Sequence, residues 1–230
     1  MELNLLPKSI RHRLAALQPA EVRVFWQELE PVRQKGPQRV LCGLVALKMA
    51  GSFFGTEIAV EEIFSRAKAL GLTRNGEIFS TEWLVDFGRS LFPGLSLLSG
   101  SFPTFLELVN LLEAEKLLLV AYDCDKNHEP TKRNGHKSHW ALILGFVASS
   151  QNFRGIQSVD VRDLAGENLS DVYLLTRHGK SSLLSMWSYE ALRESNGQLE
   201  EAGPDRPGDE YIIPRGGIQL KNKCVCISRQ

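Results

Sequence analysis

The sequence predicts an α+β protein built on an antiparallel sheet. Three observations carry that prediction. Helix-like apolar spacing fills residues 20–115, short apolar runs without a helical stripe fill most of the rest, and the two textures are segregated rather than alternating.

The elements follow in order. "PAEVRVFWQELEPV" puts Val22, Phe25, Trp26 and Leu29 on one helical face, with Pro31 as its stop. Residues 1–35 are therefore read as an N-terminal helical segment ahead of the main body at 36–230. From Cys42, "CGLVALKMAG" is apolar on every side, which predicts a buried helix. Thr56 caps "EIAVEEIFSRAKALGL", whose early acidic residues and late Lys68 suit the helix dipole. Ser80 or Thr81 caps "EWLVDFGRSLF", and a further helix starts at Phe102 or Thr104 and runs through "FLELVNLLEAE". Strands are expected at "KLLLVAYDC", "HWALILGFVAS" and "DVYLLTRHG". "SLLSMWSYEALRE" reads as a strand passing into a helical turn at Ser188, with "YIIP" and "CVCIS" as late strands. Residues 195–210 are a polar loop rich in Gly and Pro.

Composition narrows the function classes. A chain of 230 residues, 43% hydrophobic, suits one sizeable domain. Its 27 basic and 27 acidic residues cancel, so no global field draws it to nucleic acid or membrane. No run approaches the ~18 apolar residues of a membrane span, and no signal peptide opens the chain. A cytoplasmic, reduced protein is expected. Cys42, Cys124, Cys224 and Cys226 form no CxxC pair, and with the histidines they fit no zinc spacing, so no metal and no cofactor is expected. Cys224 and Cys226 are expected on opposite faces of a strand and unbridged.

Chemistry enters with "QRVLCGLVALKMAG". A thiol at a helix start sits among unpaired backbone N–H groups at the positive dipole end, which favour the thiolate. The same N–H groups can hold an oxyanion. Read alone, Cys42 is better taken as a small buried core residue. The second signal is "GHKSHWALILGF", which puts His139 at the start of an apolar strand with Trp140 beside it as a shield from water. A cysteine on a helix start facing a histidine on a sheet is the plan of cysteine proteases, in which the pair rests as thiolate and imidazolium.

"GPQRVLCGLVALKMAG", "HWALILGF" and "LLTRHGKSSLLSMWSYEALRESNGQL" resemble the actin maturation protease family, from about residue 30 to about 225. The resemblance implies a papain-like cysteine peptidase domain over 36–230, distantly like the bacteriocin-processing peptidase domains of bacterial transporters. It also implies an aminopeptidase that removes the acetylated N-terminal residue of immature actin in the cytosol, with Cys42 as nucleophile and His139 as base. Gln34 or Gln38 would serve the oxyanion hole, since "RVL" lengthens the stretch between glutamine and cysteine. The residue that orients the imidazole would lie near the end of "DVYLLTRHG", where Arg177 and His178 stand in place of a carboxylate. Asp160, Asp163 and Asp171 read as surface residues, and His12, His128 and His136 as solvent-exposed.

Actin N-termini carry consecutive acidic residues. Arg39 beside the cysteine, and Lys132, Arg133 and Lys137 in the loop entering His139, form a basic rim suited to them, with Trp140 and His178 as further substrate contacts. With only Pro7, Pro19 and Pro31 in the first 35 residues, profilin is expected only indirectly, through actin. The competing readings are another papain-like thiol hydrolase, such as a deubiquitinase, and an inactive binding module of the same fold.

Overall fold

The computed structural model describes residues 6–17, 22–32, 41–149, 171–206 and 210–230. The elements are α1 (Lys8–Leu17), β1 (Val22–Trp26), α2 (Cys42–Phe53), α3 (Val60–Ala69), α4 (Thr81–Leu91), β2 (Leu95–Ser101) and α5 (Phe105–Glu113). They continue as β3 (Leu117–Cys124), β4 (Pro130–Thr131), β5 (Ser138–Ser149), β6 (Asp171–Arg177), β7 (Ser185–Ser188), α6 (Tyr189–Gly197) and β8 (Lys223–Arg229). One antiparallel sheet of eight strands runs β2-β8-β3-β5-β6-β7, with β1 paired to β5 and β4 to β3. The predicted α+β class holds.

Every residue of β5 is buried, which explains its nearly unbroken apolar run. On one face, Trp140, Leu142 and Leu144 pack in the cluster that holds Leu44 and Leu47 of α2, Ile63 of α3 and Leu84 of α4. On the other, Ala141 and Ile143 meet Leu108 and Leu112 of α5 and Leu192 of α6. Helix starts follow their caps. Ser80 accepts from the Trp83 N–H, Thr104 and Glu107 form a reciprocal capping box, and Ser188 accepts from the Ala191 N–H.

Several expectations are corrected. Residues 22–26 form a strand, not a helix. Val22 and Val24 are buried while Phe25 packs against the opposite cluster, a period of two that a 3.6-residue reading absorbs by coincidence. The third helix begins at Val60 after Ala59, not after Thr56. Residues 95–101 form the unanticipated β2, partly exposed beyond Leu97, and "YIIP" forms no strand. Cys224 and Cys226 lie on one face of β8 rather than two, because alternate strand residues point the same way; both are free thiols.

The loop between β4 and β5 is held by a single buried carboxylate. Asp123 Oδ2 accepts from the Arg133 N–H (2.9 Å), the Gly135 N–H (2.7 Å) and Gln198 Nε2 (2.8 Å), and Oδ1 accepts from the Lys137 N–H (2.8 Å). The turn itself places Asn134 and Gly135 at φ of 60° and 98°, and a Cβ at Gly135 would meet the Glu201 carbonyl oxygen at 2.3 Å. From α6, Ser195 Oγ accepts from the Asp123 N–H, and Asn196 Nδ2 donates to the carbonyls of Ala121 and Lys223. Ser195 and Asn196 are thus a clamp on the C-terminal end of β3. Replacing Asp123 by Ala strands four donors, and the expected cost is about 3–5 kcal/mol. Urea denaturation checks it; a loss under roughly 1 kcal/mol would contradict the assignment.

Candidate active site

Cys42 is the first residue of α2, after Leu41, which offers no side-chain cap. The N-cap residue therefore takes up none of the N-terminal N–H groups of the helix. The helix reaches the start of β5 because Gly43 permits it: a Cβ there would meet Trp140 Cδ1 at 3.0 Å. β6 begins to pair with β5 only at Leu142, which leaves the first residues of β5 open on that edge. The Cys42 sulfur faces the backbone N–H groups of Trp140 and Gly43. Trp140 is the residue after His139.

His139 is 8% exposed, and its ring is flanked by Tyr122 (6.2 Å between centroids), His128 (5.7 Å) and His178 (6.4 Å). Its Nε2 is buried with no hydrogen-bond partner among the described residues. The sulfur and His139 thus come to the same strand end, from α2 and from the opposite face of β5, with no hydrogen bond joining them among the described residues. Trp140 points the other way from His139, as alternation requires. It packs with Cys42 and donates from Nε1 to the Ile78 carbonyl (3.1 Å), so the shield of His139 is Tyr122, His128 and His178 instead.

Burial dominates the electrostatics. It pushes the Cys42 thiol above its ordinary range, opposed by the Trp140 N–H, the charges of Arg206 and Lys180, and the Gly43 N–H. Burial, with Lys180 and Arg206 adding, lowers His139 to about 3. Both shifts favour a neutral thiol and neutral imidazole, not the expected thiolate–imidazolium pair.

The other predicted residues divide. Gln34, Gln38, Arg39, Asp160 and Asp163 lie outside the described residues. Lys132 is paired with Glu194 (2.6 Å) and Lys137 with Asp205 (2.6 Å), so two of the rim cations are neutralised locally, while Arg133 is exposed. His178 is not on a rim but 2% exposed, stacked on Trp187 with centroids 5.7 Å apart. His128 is half-buried against His139, not solvated; His136 pairs with Glu201; His12 is exposed as expected. Asp171 is exposed at the start of β6, and Arg177 Nη1 donates to the Ser182 carbonyl (3.0 Å).

Sequence reasoning missed three residues. Arg206 donates to Ser138 Oγ (2.8 Å) and lies over the Phe79 ring, which fastens it beside the start of β5. Lys180 acts on Cys42, His128, His139 and His178 alike. Glu77 is 6% exposed with neither carboxylate oxygen bonded by a side chain or ligand partner among the described residues. Only Lys180 carried a signal, in the "HGKS" stretch.

The fold is that of a papain-like, C39-like peptidase. A solved structure described as a C39-like peptidase from Bacillus anthracis covers 89% of this chain and 99% of its own, at a TM-score of 0.53 and 10% identity. The family model for the actin maturation protease-like C-terminal domain matches residues 29–147. The actin maturation protease of Drosophila melanogaster is 32% identical over 88% of this chain and 70% of its own length; that of Xenopus tropicalis is 32% identical over 93% and 76%. The chain belongs to the actin maturation protease family.

Burial, and then the nearby Cys42, raise the Glu77 carboxyl to about 7 from its ordinary 4.5. A raised folded-state pKa means the folded protein holds the proton longer than the unfolded chain. Its stabilising contribution is therefore complete below pH 4.5 and is lost as pH climbs to about 7. Thermal denaturation of Glu77→Gln should match the parent near pH 4.5 and exceed it at pH 8, by roughly 3 kcal/mol at most. Equal pH dependence in the two proteins would contradict this.

Proposed function

We propose that this protein is a cysteine aminopeptidase that removes the acetylated N-terminal residue from immature actin in the cytoplasm. The observation that carries the reading is a buried Cys42 sulfur at a helix start, facing the N–H of Trp140, the residue that follows His139 on β5. Family membership and the names of the relatives support actin as the substrate.

The chemistry follows from the neutral resting pair. Cys42 Sγ attacks the carbonyl carbon of the acetylated first residue as His139 takes the thiol proton. The oxyanion forms against the N-terminal N–H groups of α2, with Gln34 or Gln38 as a further donor. His139 then passes its proton to the departing amine of the second residue. Water, deprotonated by His139, hydrolyses the thioester and frees the acetylated residue. Each step needs only the sulfur, the ring and fixed donors. Arg206 and Lys180, the cations whose charges reach both Cys42 and His139, are the ones that meet the acidic residues following the cleaved bond.

Incubating acetylated actin N-terminal peptides with the protein and reading products by mass tests the reading. Cys42→Ala should give no product, and His139→Ala should lose about 10²–10⁴-fold in rate. Product from Cys42→Ala, or none from the parent, would end it. Arg206→Ala should raise KM for the acidic peptide more than for its neutralised analogue, and the gap should shrink as salt rises. A salt-independent effect, equal for both peptides, would remove Arg206 from substrate recognition.

A further inference from the structure

Two residues beside the strand end, Cys124 and His128, are not needed by the peptidase chemistry yet cluster with His139. Cys124, at the end of β3, is a half-buried free thiol, and His128 follows it on a tight turn. In that turn Asp125 Oδ1 accepts from the Asn127 N–H (2.8 Å) and the Glu129 N–H (2.9 Å). The His128 carbonyl accepts from the Tyr122 hydroxyl (3.0 Å), and its own backbone is left-handed, with φ 63°. The turn thus folds the His128 ring back to stack on His139, at 5.7 Å and an interplanar angle of 23°. One donor atom from each of Cys124, His128 and His139 lies within 4.8 Å of the others.

Two further facts point to a ligand. His128 Nδ1 and His139 Nε2 are both buried atoms with no partner among the described residues, and His139 is itself more than nine-tenths buried. An unmet buried nitrogen is costly, so one on each of two stacked rings is unusual unless something binds them. Two imidazoles and a thiol are the donor set of zinc, and three protein ligands with one open position is an established zinc arrangement. Tetrahedral bonds of about 2.0–2.3 Å set donor atoms roughly 3.5 Å apart, so the trio must contract by about 1 Å. Cys124 and His128, both only half-buried, are the members able to move.

We propose that Cys124, His128 and His139 form a zinc site that holds the peptidase off. On binding, the Cys124 thiol releases its proton to solvent and both rings bind as neutral imidazoles. A ring nitrogen of His139 is then committed to the metal and the ring can no longer shuttle the proton of Cys42. Only this inhibitory consequence rests on His139 being the base; the metal site does not.

The test therefore reads binding directly, in Cys42→Ala protein, so that the nucleophile cannot supply the sulfur. Cobalt(II) titration should give one equivalent bound with a thiolate-to-cobalt charge-transfer band, displaced by zinc. Adding Cys124→Ser should abolish the band. His128→Asn, on the partly exposed turn, should keep the band but weaken binding about 10–100-fold. Circular dichroism of each variant checks folding, and the turn variant decides the matter if the Cys124 variant does not fold. Absence of a band in Cys42→Ala, its persistence in the Cys124 variant, or unchanged affinity in His128→Asn would each overturn the site. In the parent protein, zinc should inhibit peptide cleavage and a chelator should restore it. Binding without inhibition would leave the metal site standing and count against His139 as the base.

Discussion

The carboxylate of Asp123 is the constraint on which the candidate site depends. It is fully buried at the end of β3, and it accepts three backbone N–H groups from residues 133–137 and a fourth bond from Gln198. Those residues carry the chain into β5, so the position of His139 follows from a charge held by peptide dipoles rather than by a cation. Hydrogen bonds to an ionised acceptor are stronger than neutral ones, and the buried setting raises the cost of losing any of them. α6 fastens the same strand through Ser195 and Asn196. The imidazole is placed by a polar clamp, whereas the sulfur is placed by packing, since α2 is buried from Cys42 through Leu47.

This division explains what was legible in the sequence. The apolar face of α2, the caps at Ser80, Thr104 and Ser188, and the central strands could be read because local pattern and tertiary environment agree there. Cys42 and His139 were legible as positions at the start of a helix and of a strand. Their proton state was not: it is set by burial and by Lys180 and Arg206, which arrive from distant segments. β1 was misread because Val22, Phe25, Trp26 and Leu29 satisfy a helical stripe by spacing alone. Only the β5 partner, in register from Val22 opposite Ser149 to Trp26 opposite Gly145, decides for the strand. Arg206 and Glu77 were invisible for a different reason. Each lies in an irregular segment whose polarity reads as solvated, and only the tertiary fold turns those segments inward.

The histidine-rich wall also differs from the expected triad. Where a carboxylate would orient the ring, the structure sets His178 and His128 against His139, with Tyr122 beside them. Aromatic rings orient by packing, without adding negative charge. That keeps the imidazole a weak base at rest, since among the described residues no anion stabilises its protonated form.

The protein's balanced charge makes the few cations facing this wall matter more. On the proposed reading, with no net field, selection of an acidic peptide end must act over about a Debye length, roughly 8 Å at physiological salt. Lys180 and Arg206 act at that range, and both also hold the His139 imidazole down, second and third to burial. On the proposed reading, a substrate carboxylate docked between them would offset part of the charge that depresses the base, just as the scissile carbonyl reaches the sulfur. Burial would remain the larger influence, so the ring would still bind its proton weakly and release it readily to the leaving amine. Substrate acidity would then contribute twice, to docking and to the strength of the base. A neutral peptide of the same shape would be offered an imidazole still depressed by both cations.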